Sequence, residues 1–306
     1  MKGVFVYETK QIQSEGGIGL EQANSRENGD CLVYACVNQK GGVGKSVTST
    51  NLGIGLARHG QKVLIVDLDS QASQTVSLGW TQPDELPVTI ATQLGNVIEN
   101  KRFDPTEGIL HHAEGVDLMP SSIELSGLEM RMVNAMSREF ALRSYLAEVK
   151  PNYDVVVLDC PPTLGMMTIN ALAAADRVIV PVQPEYLSVI GMTQLFDTVA
   201  LVKKQINPNL KVEGVLLTLA NMRTNLAKNT LEILRQAYGG SVRIFPNPIP
   251  YSTKVKEASA SGKSVFAYEP HGRAAYAYEQ LVKEVERNGR QIGADIRVAK
   301  KVELSR

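Results

Sequence analysis

No stretch of the 306-residue chain reaches the roughly 18 consecutive apolar residues of a membrane span. The start, MKGVFVYETKQIQSEGG, has no apolar core behind a charged segment, so no export signal is read there. Cysteine is scarce: Cys31, Cys36 and Cys160 are odd in number and form no CxxC pair, which excludes a disulfide framework and points to a reducing cytoplasm, with the three thiols as small buried residues. His59, His111, His112 and His271 show no metal-ligand spacing. Net charge is also missing, because 32 Lys/Arg balance 32 Asp/Glu, so no overall field marks a nucleic-acid binder.

The balance hides an asymmetry. Residues 201–263 carry ten basic and three acidic side chains, net +7, whereas residues 64–130 carry two basic and eleven acidic, net −9. A local anion-binding face in the C-terminal half is compatible with that distribution.

Hydrophobic residues make up 43% of the chain, enough for a substantial core. Residues 1–30, rich in Gly, Gln, Glu, Asn and Ser, read as a loosely ordered arm, residues 31–288 as the folded domain, and residues 289–306 as a basic tail with a weak helical face. Within the domain, apolar runs at 31–38, 62–69, 116–120, 153–162, 176–183, 211–219 and 242–246 read as strands. Helical patterns fall at 46–60, 122–149, 165–175, 187–206, 225–238, 253–261 and 272–288. Several strands are apolar at consecutive positions, as strands covered on both faces are. The expected fold class is α/β, a doubly wound, mainly parallel sheet flanked by helices, with ligands beyond the carboxyl ends of its strands.

The motifs fall at those ends. In NQKGGVGKS, residues 38–46, Gly41, Gly42 and Gly44 stand between a strand and a helix, where backbone N–H groups can curl around a phosphate. Lys45 suits the β and γ phosphates and Ser46 suits Mg²⁺. Two features are unusual: Gln39 occupies the place of the first glycine of a strict Walker A loop, and Lys40 adds a second lysine. A cation at the loop's start can serve phosphates elsewhere, as an arginine finger does. VLIVDLD ends a strand with Asp67 and Asp69, and VVVLDCPP ends another with Asp159, in the manner of a Walker B strand. Asp69 is the better candidate to orient the attacking water, with Asp67 supporting the loop and metal.

With Lys40-Gly-Gly-Val-Gly-Lys45-Ser46, VDLDSQ and LDCPPTLG in this order, the chain resembles the ParA/MinD group of deviant Walker A ATPases, and more narrowly its ParA/Soj branch of chromosome and plasmid partition proteins. The resemblance runs from about residue 31 to about 288. It implies an ATP hydrolase, slow and partner-stimulated, with ATP and Mg²⁺ as cofactors. Lys40 matches the signature lysine that crosses to the nucleotide of a second subunit in an ATP-sandwiched homodimer. Gly41 through Val47 match the phosphate loop, Asp69 the hydrolytic aspartate, Ser46, Asp67 and Asp159 the Mg²⁺ region, and Asn221 a position that contacts adenine. The resemblance further implies non-specific binding of double-stranded DNA, here through Arg223, Lys254, Lys256 and Lys263, and a ParB-like or cargo-adaptor partner in a cytoplasmic, nucleoid-associated setting.

Three positions depart from the family pattern: Ser70 replaces a proline, Val47 a threonine and Tyr251 an arginine. The alternative is a MinD-like or cargo-positioning ATPase acting on a membrane or protein assembly, which needs an amphipathic C-terminal helix. The tail supplies Ile292, Ile296, Val298, Val302 and Leu304 but no aromatic residue. An iron-sulfur reductase on the same fold would need paired cysteines near the nucleotide, where Cys160 stands alone.

Overall fold

The structure is a computed structural model that describes residues 31–303; the expected arm at 1–30 and the last three residues lie outside that range. Seven strands, β1 Leu32–Cys36, β2 Val63–Asp67, β3 Leu110–His111, β4 Asp117–Met119, β5 Val155–Asp159, β6 Arg177–Val182 and β7 Lys211–Leu217, form one sheet. Their order is β3-β4-β2-β5-β1-β6-β7, with β3 antiparallel to β4 and the other neighbours parallel. The doubly wound, mainly parallel architecture read from the apolar runs is the architecture found.

Among the described residues, eleven α-helices accompany the sheet: α1 Lys45–Arg58, α2 Ser73–Ser77, α3 Ile90–Ile98, α4 Glu124–Met132, α5 Ala141–Val149, α6 Met166–Ala174, α7 Tyr186–Gln205, α8 Asn225–Tyr238, α9 Thr253–Ala260, α10 Val265–Tyr268 and α11 Arg273–Glu303. Side chains alternate across each strand, so β1 sends Val33 and Ala35 into one core layer and Tyr34 and Cys36 into the other. The first layer includes Leu94, Leu142, Leu172 and Leu195 from α3, α5, α6 and α7. The second holds Leu52 and Ile54 of α1 against Leu281 and Val282 of α11. Each fully buried aliphatic side chain contributes about 1.5–3 kcal/mol of transfer free energy, which holds both layers to the sheet.

Helix α1 reaches α11 through a glycine. A β-carbon on Gly55 would lie 2.4 Å from Val282 Cγ2 and 3.3 Å from the Phe266 ring. Gly55→Ala is therefore expected to destabilise the chain by about 1–3 kcal/mol, the usual cost of overpacking, read as a lower midpoint in urea denaturation. An unchanged midpoint would mean that the α1–α11 contact is loose.

The elements differ from the sequence reading in four places. The expected helix over 122–149 is two helices, because Ser137 takes a left-handed φ of 52° and turns the chain between α4 and α5. The expected strand VRIFP contributes an isolated bridge, Val215 to Ile244, and goes no further. Pro246 and Pro248 lack the N–H groups that a longer ladder needs. Helix α11 continues through Glu303, past the expected boundary at 288. Gly289 and Gly293 each weaken a helix by about 1 kcal/mol relative to alanine but do not end it. Finally, β3, α2, α3 and α10 have no counterpart in the sequence reading. Among the described residues, no helix is long and apolar enough to cross a membrane.

Candidate functional site

Strands β2, β5 and β1 are neighbours, and their register sets Asp67 opposite Asp159 and Asp159 opposite Cys36. Residues 37–44 leave β1 at this edge and lead into α1. The loop thus emerges beside two strand-terminal carboxylates, at the carboxyl edge where open parallel sheets bind ligands.

Gly42 (φ 73°) and Gly44 (φ 83°) adopt left-handed backbone conformations, which glycine takes without steric cost. Position 39 does not, so the first glycine of a strict Walker A loop has no conformational task here. Instead the Gln39 amide donates to the Gly191 carbonyl at 2.8 Å and ties the loop to α7. Asn38 donates to the Pro181 carbonyl at 2.7 Å and accepts from the Lys40 N–H at 2.9 Å. Gln183 donates to the Gly42 carbonyl at 3.0 Å and Thr218 to the Val43 carbonyl at 2.7 Å. With these carbonyls engaged, the N–H groups of Gly42, Val43 and Gly44 donate to no acceptor among the described residues. Helix α1 opens behind them with Gly44 as N-cap, no side-chain cap and no acidic residue in its first turn. An uncapped helix N-terminus behind a row of free N–H groups is suited to accept a phosphate.

The two lysines are placed differently. Lys45 is 7% exposed and donates to the Lys40 carbonyl at 3.2 Å. Burial pulls its ammonium below the ordinary lysine value, with Asp159 opposing. The Lys40 side chain is 39% exposed at the rim, its Nζ 2.5 Å from Glu185 Oε2 and 3.2 Å from Ser188 Oγ.

The carboxylates also divide. Asp67 and Asp159 are both fully buried. Asp67 Oδ1 accepts from the Asp69 N–H at 3.1 Å, and Oδ2 accepts from the Thr75 N–H at 2.9 Å and the Thr75 hydroxyl at 2.8 Å. Expected to support both loop and metal, Asp67 is committed to the turn that carries Asp69. Burial, outweighing those hydrogen bonds, pushes its carboxyl up to about 6. Asp159 Oδ1 accepts from Ser49 at 3.3 Å, while Oδ2 has no hydrogen-bond partner among the described residues. Burial first, then the charge of Asp67, pushes Asp159 up to about 8, with Ser46 and Lys45 pulling the other way.

An orphaned, buried carboxylate oxygen beside a serine hydroxyl and a phosphate loop fits a hard divalent cation such as Mg²⁺. Among the described residues no three His, Cys, Asp or Glu side chains converge to hold a metal unaided. Mg²⁺ draws much of its coordination from waters and nucleotide phosphates.

The metal-free chain therefore has a testable pH dependence. Folded Asp159 keeps its proton where the unfolded chain has lost it, so unfolding releases a proton between the ordinary carboxylate value and about 8. Stability of the nucleotide-free chain is expected to fall as pH rises through that window. Asp67 contributes in the same direction up to about 6. Asp159→Asn should flatten the upper part of the slope in thermal melts from pH 5 to 8; a slope unchanged by the substitution would contradict the assignment.

Asp69 is half-buried and stands in a tight turn, where its Oδ1 accepts from the Gln71 N–H at 3.0 Å and its carbonyl from the Ala72 N–H at 2.8 Å. Val47 packs part of its side chain on the α1–α11 core layer. Exposed Asn221 follows β7, its Oδ1 accepting from the Arg223 N–H at 3.3 Å. A bridge from Ala220 to Pro250 sets the loop bearing Asn221 and Arg223 beside the segment that leads into α9, which carries Lys254 and Lys256.

Arg223, Lys254, Lys256 and Lys263 are all exposed, but not equivalent. Lys254 Nζ is paired with Glu257 at 2.8 Å, and Glu257 also accepts from the Tyr268 hydroxyl at 2.8 Å. Lys256 Nζ lies 5.8 Å from the ring centroid of Tyr251, which is 52% exposed where the family pattern has arginine. Lys263 follows the other end of α9, next to Ser264, which bonds Glu114. The sequence reading did not single out Gln39's tether, Gln183, Glu185, Ser188, Ser49 or Thr218. The available signal was positional: Gln183 and Thr218 each directly follow a strand that ends at the loop.

Residues 32–212 match the AAA domain family. The chain is 40% identical over 259 residues to the sporulation initiation inhibitor protein Soj of Bacillus subtilis (strain 168), covering 84% of this chain and 99% of that protein. It is 36% identical over 255 residues to the chromosome partitioning protein ParA of Myxococcus xanthus (strain DK1622), covering 83% of this chain and 87% of that one. Among solved structures, cobyrinic acid a,c-diamide synthase from Mycobacterium smegmatis with bound ADP and magnesium is similar with a TM-score of 0.73 at 35% identity, over 84% of this chain and 94% of that one. A phosphate loop between β1 and α1, strand-terminal aspartates on β2 and β5, and these matches place the chain in one family: it belongs to the ParA/Soj group of the ParA/MinD deviant Walker A P-loop ATPases.

Proposed function

We propose that this partition ATPase binds Mg-ATP at the 38–46 loop, dimerises across the nucleotide, binds double-stranded DNA without sequence preference in that state, and is released by slow, partner-stimulated hydrolysis. The observation that carries the reading is the division of the two lysines. Buried Lys45 serves the chain's own phosphates, while Lys40 stands at the rim, where a second copy can meet it.

Gly41 through Val47 hold the triphosphate, Lys45 neutralises it, and Asn221 contacts the adenine. Ser46 and Asp159 would hold Mg²⁺, which would shield the charge of the β and γ phosphates. Asp69 orients a water whose oxygen attacks the γ phosphorus; the bond to the bridging oxygen breaks, ADP and phosphate form, and the water's proton leaves with phosphate. Lys40 of the facing copy stabilises charge at that step. Arg223, Lys256 and Lys263 contact DNA phosphates, with Lys254 joining them once it leaves Glu257. The stimulating partner is a ParB-like DNA-binding protein or a cargo adaptor, and the protein works in the cytoplasm on the nucleoid.

The test is the mass of the purified chain by sedimentation velocity with Mg-ATP, with Mg-ADP and without nucleotide. A dimer with ATP alone, lost in Lys40→Ala, is the expected result. The same mass in all three states contradicts the reading.

A further inference from the structure

In the single chain Lys40 is already occupied. We infer that Glu185 and Ser188 form a latch that holds the Lys40 ammonium in its own chain and sets a threshold for its transfer to a second copy; the inference rests on the dimer reading above. Glu185 Oε2 lies 2.5 Å and Ser188 Oγ 3.2 Å from Nζ.

These two acceptors are placed by backbone rather than by a loose surface chain. Ser188 is 5% exposed on the first turn of α7, and its N–H donates to the Glu185 carbonyl at 3.0 Å. The Glu185 N–H in turn donates to the Gln183 carbonyl at 2.8 Å. The same segment grips the loop at two more points, through Gln183 on the Gly42 carbonyl and Gly191 on the Gln39 amide. The backbone of Lys40 is fixed as well, by Asn38 on its N–H and Lys45 on its carbonyl. Donor and acceptors thus face each other from two fastened segments. Glu185 and Ser188 are positioning residues: they act on the nucleotide of the second copy only through Lys40.

An exposed ion pair restrains its partners by about 2- to 5-fold in equilibrium terms. Each dimer breaks two latches, so Glu185→Gln should tighten the dimer dissociation constant by about 4- to 25-fold. The experiment is sedimentation velocity across protein concentration in Mg-AMPPNP for wild type, Glu185→Gln, Ser188→Ala, Lys40→Ala and Lys40→Ala with Glu185→Gln. Glu185→Gln should dimerise at lower concentration, Ser188→Ala should shift the same way but less, and Glu185→Gln should have no effect without Lys40.

A second readout needs no dimer: the rate at which trace acetic anhydride acetylates Lys40 in the nucleotide-free chain, by mass spectrometry against exposed Lys62. Glu185→Gln should raise that rate about 2- to 5-fold. An unchanged rate overturns the latch whatever the dimer does, and so does a raised rate with an unchanged dimer constant. Failure of wild type to dimerise in Mg-AMPPNP, or dimerisation of Lys40→Ala as readily as wild type, overturns the dimer reading itself and with it the purpose of the latch.

Discussion

Replacing Lys45 with alanine is expected to abolish measurable ATP turnover and to weaken Mg-ATP binding by about 10²- to 10⁴-fold, because each charge-assisted hydrogen bond to a phosphate oxygen is worth about 1.5–3 kcal/mol and the ammonium can make two. Lys45 is the first residue of α1 and only 7% exposed, so no neighbouring side chain can substitute for it. Its present acceptor, the Lys40 carbonyl, is a neutral group that a phosphate outcompetes. The chain should remain folded, because the substitution removes a buried ammonium and breaks only its hydrogen bond to the Lys40 carbonyl. Titration calorimetry with Mg-ATP, alongside a circular dichroism melt, checks both parts. Binding within a few-fold of wild type would remove Lys45 from the phosphate site.

Asp69→Ala separates binding from chemistry. General-base or water-orienting groups contribute about 10²- to 10⁴-fold to rate, so single-turnover hydrolysis should fall by that order while Mg-ATP affinity changes by less than about 3-fold. The backbone of Asp69, which donates to Asp67, survives the substitution, and the side chain gives up one local bond from Gln71. Asp67→Ala, two residues away, should behave quite differently. It strips acceptors from three donors in a fully buried site and should unfold or aggregate the chain rather than yield a slow enzyme. If Asp69→Ala turned over at the wild-type rate, another group would have to orient the water.

That contrast shows how far the sequence was legible. The consecutive apolar positions of VVVLD and RVIVPV state burial on both faces, and strand and parallel sheet follow from the residues themselves. The loop glycines likewise declare a left-handed backbone at Gly42 and Gly44. The different duties of Asp67 and Asp69 are not local. They depend on Thr75, eight residues from Asp67, folding back onto its carboxylate. The use of Gln39 depends on Gly191, 152 positions away, and the resting place of Lys40 on Glu185, 145 away. Such pairings are set by the register of β1 with β6, which no local pattern encodes. The helix over 122–149 was misjudged for a related reason. Asn134–Ser137 hold no proline or glycine to mark a break, yet Ser137 takes a left-handed φ of 52° and α5 begins anew against α6.

The acidic and basic halves of the chain meet the same limit. A net of +7 over residues 201–263 is a property of composition, whereas the phosphate-contacting power of each residue depends on its neighbours. Lys254 is engaged by Glu257, so its contribution to a DNA contact is reduced by the strength of that pair. Arg223, Lys256 and Lys263 pair with no carboxylate among the described residues and are the stronger candidates for the proposed DNA contact.

In the proposed cycle, nucleotide state gates binding to DNA through Lys40. The measurement that tests it most directly is equilibrium binding of the purified chain to a random-sequence duplex with Mg-ATP, Mg-ADP or no nucleotide, across a salt series, for wild type and Lys40→Ala. Binding should require ATP, weaken steeply with salt as released counterions dictate, and disappear in Lys40→Ala. Binding that ignores nucleotide, or no binding in any state, would contradict it.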